Sequence, residues 1–264
     1  MWAYVSVFQA PKRGCSPEEC EDNAWVSPSG DRSGEVSEAR IRLVVADGAS
    51  ESLLAGRWAA CLTRSFGRSG ALTTSRQGFS RAYQAATEGW VRYVDWYIRD
   101  REQRGVPIQW YEEPGLARGA FSTLITLEVK SAVTGGVWRA AALGDSCLFQ
   151  VRDEALRVSF PIEAACELSS YPPLLPSRLA DNEALRQSLA LNEGDWQPGD
   201  SFYVMTDALA GWFLAAVDSG GSPWGTLRDL GSTDVIDFQT WIDLNRDNGC
   251  LRDDDVTLVR LDMY

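Results

Sequence analysis

Histidine is absent from all 264 residues. That absence excludes Ser-His-Asp triads, Cys-His nucleophiles, histidine acids and histidine-bearing zinc sites. Catalysis on this chain must run on carboxylates, metals, arginines, thiols or hydroxyls. Apolar runs of the roughly 18 residues needed for a membrane span are also missing. The opening MWAYVSVFQAPKRG lacks the basic start, apolar stretch and small-residue cleavage site of a signal peptide, so none is expected. There is no C-x-x-C pair. The six cysteines, Cys15, Cys20, Cys61, Cys147, Cys166 and Cys250, read as scattered thiols in a reducing, cytoplasmic compartment rather than as a disulfide framework. Basic residues are the minority: 25 Lys and Arg stand against 37 Asp and Glu, for a net charge of −12. An acid excess of that size opposes unaided binding to nucleic acid or to anionic membranes.

What remains is ordinary globular composition, 45% hydrophobic and 23% charged, with enough chain for a substantial core. No repeat or linker separates two cores, so residues 1–264 are expected to form a single domain. Residues 27–38 (VSPSGDRSGEVS is the stretch from 26) read as a hairpin loop between Ala24–Val26 and a strand at Ile41–Ala46. A helix is predicted from about Glu51 to Phe66, where Leu54, Trp58, Cys61 and Leu62 fall at helical spacing. A longer one is predicted from about Ser75 to Arg104, with a stripe of Phe79, Tyr83, Ala86, Trp90, Val94 and Tyr97. Arg99, Arg101 and Arg104 read as its solvated end. After Gly105-Val106-Pro107 the period shortens to two. Strands are predicted at 120–129, 137–143, 147–152 and 155–159, with a turn at Gly135-Gly136 and a tight hairpin at Arg152-Asp153-Glu154. Residues 161–199 read as a surface excursion with a little helix. Strand 201–206, helix 207–217, helix 233–246 and strand 256–262 complete the chain. Hairpins without intervening helices argue against a doubly wound sheet and for an α+β layer arrangement.

Three aspartates share an odd placement. Asp47 follows Leu43-Val44-Val45-Ala46, Asp207 follows Tyr203-Val204-Met205-Thr206, and Asp254 precedes Val256-Thr257-Leu258-Val259. Each ends a strand that should be buried, where an uncompensated charge is expensive. Asp145 lies between two strands, and Glu21-Asp22 precede Asn23-Ala24-Trp25-Val26. Singly, each is explained as a turn or cap residue. Jointly, strand-end carboxylates without histidine or clustered thiols are the donor set of hard cations such as Mg2+ or Mn2+.

In chain order, CEDNA (20–24), VVADGAS (44–50), GAFSTLITLEV (119–129), AALGDSCLFQVR (141–152), DSFYVMTDALAGWF (200–213) and DDDVTLVRL (253–261) resemble the metal-dependent, type 2C protein Ser/Thr phosphatases, in their bacterial branch. The resemblance spans about residues 14 to 262. It implies a four-layer α-β-β-α sandwich of two antiparallel sheets flanked by helices. It also implies a phosphoprotein substrate paired with a Ser/Thr kinase, and two Mn2+ or Mg2+ ions, with a third and weaker ion in some members. Carried over, Asp47 resembles the ligand bridging both metals and the Gly48 carbonyl a ligand of the first. Asp207 and Asp254 match ligands of the second, Glu21 and Asp22 match the acidic pair that holds metal-bound water, and Asp145 matches the third-metal aspartate. Asp47 and Asp207 are the candidate catalytic residues.

The sequence departs from the pattern at five places. The family commonly carries a phosphate-holding arginine four residues before the Glu of the acidic pair; here that position is Pro17, and Lys12 and Arg13 are the nearby cations that could bind phosphate. Ala49 stands where some members have a histidine, Ala208 and Asp255 replace the usual glycine and asparagine, and Gly211 stands where a third-metal aspartate sometimes sits. Three readings stay open: a protein Ser/Thr phosphatase, a weak or inactive relative acting as a regulatory module, and a small-molecule phosphomonoesterase on the same site. Residues 161–190 read either as a surface loop or as a substrate-selecting flap, and Trp212 as core or as cleft rim.

Overall fold

The computed structural model describes residues 1–28, 33–70, 72–178, 183, 187–230 and 237–264. Strand alternation builds its centre. In β4 (Arg40–Ala46), Ile41, Leu43 and Val45 face one way and Val44 and Ala46 the other, and all five are fully buried. A strand buried on both faces needs a packed layer on each side, here the second sheet on one and helices on the other.

The sheets do this. β1 (Trp2–Ala10), β3 (Gly34–Ser37), β8 (Cys147–Arg152), β9 (Ala155–Phe160), β12 (Ser201–Met205) and β13 (Val256–Met263) form a six-stranded antiparallel sheet in the order β3-β1-β13-β12-β8-β9. β2 (Asn23–Ser27), β4, β6 (Leu124–Ser131), β7 (Gly136–Leu143) and β11 (Ala190–Trp196) form a five-stranded one, β11-β7-β6-β4-β2. Short β5 (Phe121–Ser122) and β10 (Leu175–Pro176) pair separately. The inner faces meet through Val5, Val26, Ile41, Leu43, Leu127, Trp138, Phe202, Val204 and Leu261. Trp138 also donates its indole N–H to Gln150 of the opposite sheet at 3.0 Å.

Helices cover both outer faces. α1 (Ala55–Arg68) and α2 (Arg76–Gln103) lay Trp58, Leu62, Phe66, Phe79, Tyr83 and Trp90 on the five-stranded sheet. Beyond the short α3 (Glu113–Arg118), α4 (Asp207–Asp218), α5 (Pro223–Asp229) and α6 (Phe238–Asp247) cover the six-stranded sheet with Leu209, Phe213, Trp224, Phe238 and Trp241. The result is the four-layer α-β-β-α sandwich expected from the sequence.

Several boundaries differ from the sequence reading. α1 begins at Ala55 rather than about Glu51, because Leu54 takes a left-handed conformation (φ 65°) that no helix interior accepts. β3 lies inside the expected 27–38 loop, of which 29–32 are outside the described residues. β1, α3, α5 and β11 were not expected; β11 falls in the excursion assigned to 161–199. The last helix runs Phe238–Asp247, and residues 233–236 of the expected helix are outside the described residues. Arg101 is not free in solvent: it holds the Glu112 carboxylate with two bonds of 2.9 and 3.1 Å, pinning the loop after α2. Among the described residues no helix is long and apolar enough to cross a membrane.

Candidate metal centre

Register brings the strand-end carboxylates to one edge of the sandwich. Asn23 pairs with Ala46, so Asp22 and Asp47 leave β2 and β4 side by side. Met205 pairs with both Leu258 and Cys147. Asp207, two residues past Met205, and Asp145, two before Cys147, are therefore neighbours across the strand end. Asp254 lies just ahead of Val256, where β13 begins. Five segments thus contribute acidic groups to one place.

Hydroxyls tie the two sheets together beneath them. Thr206 donates its hydroxyl to the Asp22 carboxylate at 2.9 Å and accepts the Thr257 amide at 3.0 Å. Asp255 spends both oxygens on backbone, accepting the amides of Lys12 and Glu21 at 2.7 Å each. Its carboxylate thereby fixes the β1–β2 connection that carries Glu21. Gly48 is pressed between chains: a Cβ there would meet the Glu21 carbonyl oxygen and the Ala55 carbonyl carbon at 2.8 Å. Its amide donates to the same Glu21 oxygen at 3.2 Å.

Asp47, Asp145, Asp207 and Asp254 line a cleft of about 470 Å3, together with Gly48, Ser50, Glu51, Thr123, Arg252 and residues of the 169–174 segment. One oxygen each of Asp22, Asp145 and Asp207 is buried with no hydrogen-bond partner. Burial, and then repulsion from Asp207, raises the Asp145 carboxyl to about 7. Burial pushes Asp22 well above the carboxylate range, as do its neighbours Asp255 and Asp207. Asp47 is raised likewise, by burial and by Asp22, Asp207, Asp254 and Asp145. Burial and Asp207 raise Asp254 as well. Buried, partnerless, mutually repelling carboxylate oxygens are a donor set for an oxygen-preferring divalent cation, so the residues present fit such an ion. Among the described residues no three acidic or thiol side chains already stand in coordination range of one point. Like-charge repulsion favours that spread, and the positive charge inside the cleft comes from the Arg252 guanidinium, paired with Asp207 and lying 3.4 Å from Asp254.

Glu21 stands at the margin, where the Lys12 ammonium meets its carboxylate at 2.9 Å and the Ser50 hydroxyl donates to the same oxygen. The bond from Lys12 to Glu21 raises the Lys12 pKa against the lowering effect of burial. Arg13 is turned away from the cleft: its guanidinium pairs with Asp247 and bonds the Asp243 carbonyl, both on α6. Pro17 lies in a 3-10 turn, Pro17–Glu19, and is not among the cleft-lining residues. Trp212 packs edge-on against Trp241 at 4.9 Å, so it belongs to the helix layer rather than to the rim. From the 161–190 segment, Ser169, Ser170, Tyr171, Pro172 and Leu174 line the cleft, with Tyr171 92% exposed. Residues 179–182 and 184–186 of that segment are outside the described residues. The sequence reading passed over Arg252, although it directly precedes the acidic triplet.

The sequence matches no family model and no curated protein. Solved structures match it throughout. PppA, a regulatory component of the type VI secretion system in Pseudomonas aeruginosa, is 16% identical, with 100% of this chain and 99% of that one covered and a TM-score of 0.57. A Ser/Thr phosphatase of S. agalactiae is 14% identical, with 99% of this chain and 100% of that one covered and a TM-score of 0.57. The catalytic domain of the Ser/Thr phosphatase PstP, solved with two manganese ions, is 15% identical over 99% of each chain, TM-score 0.54. The chain therefore has the fold of the PPM-type, or type 2C, Ser/Thr phosphatases.

Proposed function

We propose that this chain, acting as a single domain over residues 1–264, is a metal-dependent phosphatase of phosphoserine and phosphothreonine in proteins. The observation that carries the reading is the trio of partnerless, buried carboxylate oxygens on Asp22, Asp145 and Asp207, at one edge of a sandwich with this fold. Asp47 would bridge two Mn2+ or Mg2+ ions, with the Gly48 carbonyl on one and Asp207 and Asp254 on the other. Glu21 and Asp22 would hold coordinated water, and Asp145 would serve a third, weaker ion. The manganese pair in PstP supports this choice of metal. Two such ions would supply Lewis acidity, lowering the pKa of water so that hydroxide can attack phosphorus at neutral pH, and would offset charge on the phosphate oxygens.

The chain's own groups supply the rest. Thr206 and Asp255 orient the acidic residues through the hydrogen bonds described above. With no histidine present, and Ala49 beside Gly48, the leaving alkoxide takes its proton from solvent. A cytoplasmic setting in a bacterium, opposite a Ser/Thr kinase, suits the free thiols and the regulatory role of PppA. Pro17 favours a second reading, a regulatory module with little or no turnover.

One experiment separates them: hydrolysis of a phosphothreonine peptide by the purified protein with Mn2+, with EDTA, and by Asp207→Asn. The expected result is turnover that requires Mn2+ and falls by at least about a hundredfold in the variant, the scale of losing a group that stabilises transition-state charge. Mn2+ binding by calorimetry without turnover on any phosphopeptide would select the module. Turnover confined to small phosphate esters would select the phosphomonoesterase.

A further inference from the structure

We propose that Arg252 is the side chain that positions the substrate phosphate in this cleft, in place of the arginine missing at Pro17. The proposal rests on the phosphatase reading of the site. Among the described residues lining the cleft, Arg252 is the one cation, facing Asp47, Glu51, Asp145, Asp207 and Asp254. Even two divalent cations would leave five carboxylates net negative, a poor host for a phosphate dianion. One further positive charge is needed, and it must sit at the cleft rather than on a neighbouring surface.

The two cations that the sequence offers for this role, Lys12 and Arg13, are engaged elsewhere. Lys12 is held by Glu21 and Ser50, and Arg13 by Asp247 and the Asp243 carbonyl. Arg252 differs in both exposure and contacts. Its side chain is 57% exposed, and its contacts with Asp207 and Asp254 both run through Nη2. The guanidinium's hydrogen bonding among the described residues is confined to Nη2, which donates to Asp207. A guanidinium presents a planar fork that matches two phosphate oxygens, which a lysine ammonium cannot reproduce. Asp207 and Asp254 are the same carboxylates assigned to the second cation. Metal binding there would release the guanidinium from both, leaving it beside the site with its charge uncompensated. The arrangement couples the two events: the arginine becomes available for phosphate where the carboxylates are taken by metal.

The test compares wild type, Arg252→Gln and Arg252→Lys, each saturated with Mn2+. Binding of inorganic phosphate is measured by calorimetry, and KM and kcat on a phosphothreonine peptide by steady-state kinetics. Losing a charged hydrogen-bonding partner predicts phosphate affinity weaker by about tenfold or more in Arg252→Gln, with a matching rise in KM and a smaller change in kcat. Arg252→Lys is expected to recover only part of the affinity. Mn2+ affinity of Arg252→Gln is expected to equal or exceed that of wild type, because a competing cation has gone. Unchanged phosphate affinity in Arg252→Gln overturns the proposal, as does a wild type that binds no phosphate. A collapse of Mn2+ binding in Arg252→Gln overturns it too, since the guanidinium would then be a structural clamp. A wild type that binds Mn2+ and phosphate but never turns over a phosphoester refutes the phosphatase reading alone, and the binding comparison still decides the role of Arg252.

Discussion

At the scale of single residues, Asp255 shows how a departure from the family pattern is accommodated. The sequence marks it only as an aspartate where asparagine is usual. In the fold its two oxygens accept two backbone amides, Lys12 and Glu21. It is buried at 4% exposure, so neither amide has water as an easy substitute. An asparagine offers one acceptor oxygen, and its NH2 would face the second amide donor. Asp255→Asn is therefore expected to cost about 1–3 kcal/mol of stability, the scale of a buried group left unsatisfied. Urea unfolding in EDTA measures that cost; an unchanged midpoint would mean the two amides find other partners. The same substitution should loosen Glu21 and so weaken Mn2+ binding. Alignment to a family pattern could not have shown this role, because the asparagine it replaces says nothing about which amides lie within reach.

Elements show where sequence was readable and where it was not. Ile41–Ala46 and the Ser201–Thr206 stretch were legible because strands buried on both faces are continuous apolar runs. Helix α2 was legible because one face of it repeats at helical spacing. β11 was not: in Ala190–Trp196 every other residue is partly exposed and only Trp196 is buried, the weak signal of an edge strand. β1 was hidden differently. The face it turns toward the other sheet carries the small Ala3 and Val5, while the large Trp2 and Tyr4 on its opposite face are exposed, so bulk points the wrong way. The site was legible as a set of strand ends; its convergence needed the register. Arg252 had one signal, its place directly before Asp253-Asp254-Asp255, but adjacency alone does not say which of 25 basic residues folds onto a cleft. Two turns give tests at this scale. Asp153 and Glu154 both have positive φ, 52° and 55°, the pair of angles a two-residue hairpin of this hand requires. Asn tolerates that conformation better than Asp, so Asp153→Asn should be neutral or stabilise by up to about 0.5 kcal/mol; a clear loss of stability would contradict the turn. At Gly48 the opposite holds. A methyl would strike backbone on two sides, at Glu21 and Ala55, and neither chain can yield as a side chain could. Gly48→Ala should destabilise by about 1–3 kcal/mol, as overpacking does, and should weaken Mn2+ binding, because the residues pushed aside carry Glu21 and Asp47. Retained Mn2+ affinity would show that the turn moves without disturbing its ligands.

For the molecule as a whole, the acidic edge should make stability depend on pH and metal together. The folded state raises Asp145 to about 7 and holds Asp22, Asp47 and Asp254 above their ordinary range. The unfolded chain has no such cluster. A carboxyl raised on folding binds more protons folded than unfolded, so stability falls as pH rises. For Asp145 the contribution is fully present below about 4, the ordinary carboxylate range, and is lost as pH climbs through about 7. In EDTA the melting temperature is thus expected to fall between pH 5 and pH 8. Asp145→Asn should flatten part of that slope, which separates the cluster from the general repulsion of a chain carrying −12. Divalent cations need the ionised carboxylates, so their stabilisation should grow over the same interval. At a hundred times its dissociation constant an ion adds about 2.7 kcal/mol, or roughly 5–10 °C for a chain of this size. Thermal scans from pH 5 to 8.5, with EDTA and with Mn2+, measure both trends at once. A melting temperature in EDTA that is flat or rises with pH would deny the raised carboxyls. A Mn2+ shift no larger at pH 8 than at pH 5.5 would deny that these carboxylates hold the metal, because the ions would then bind where no proton has to leave.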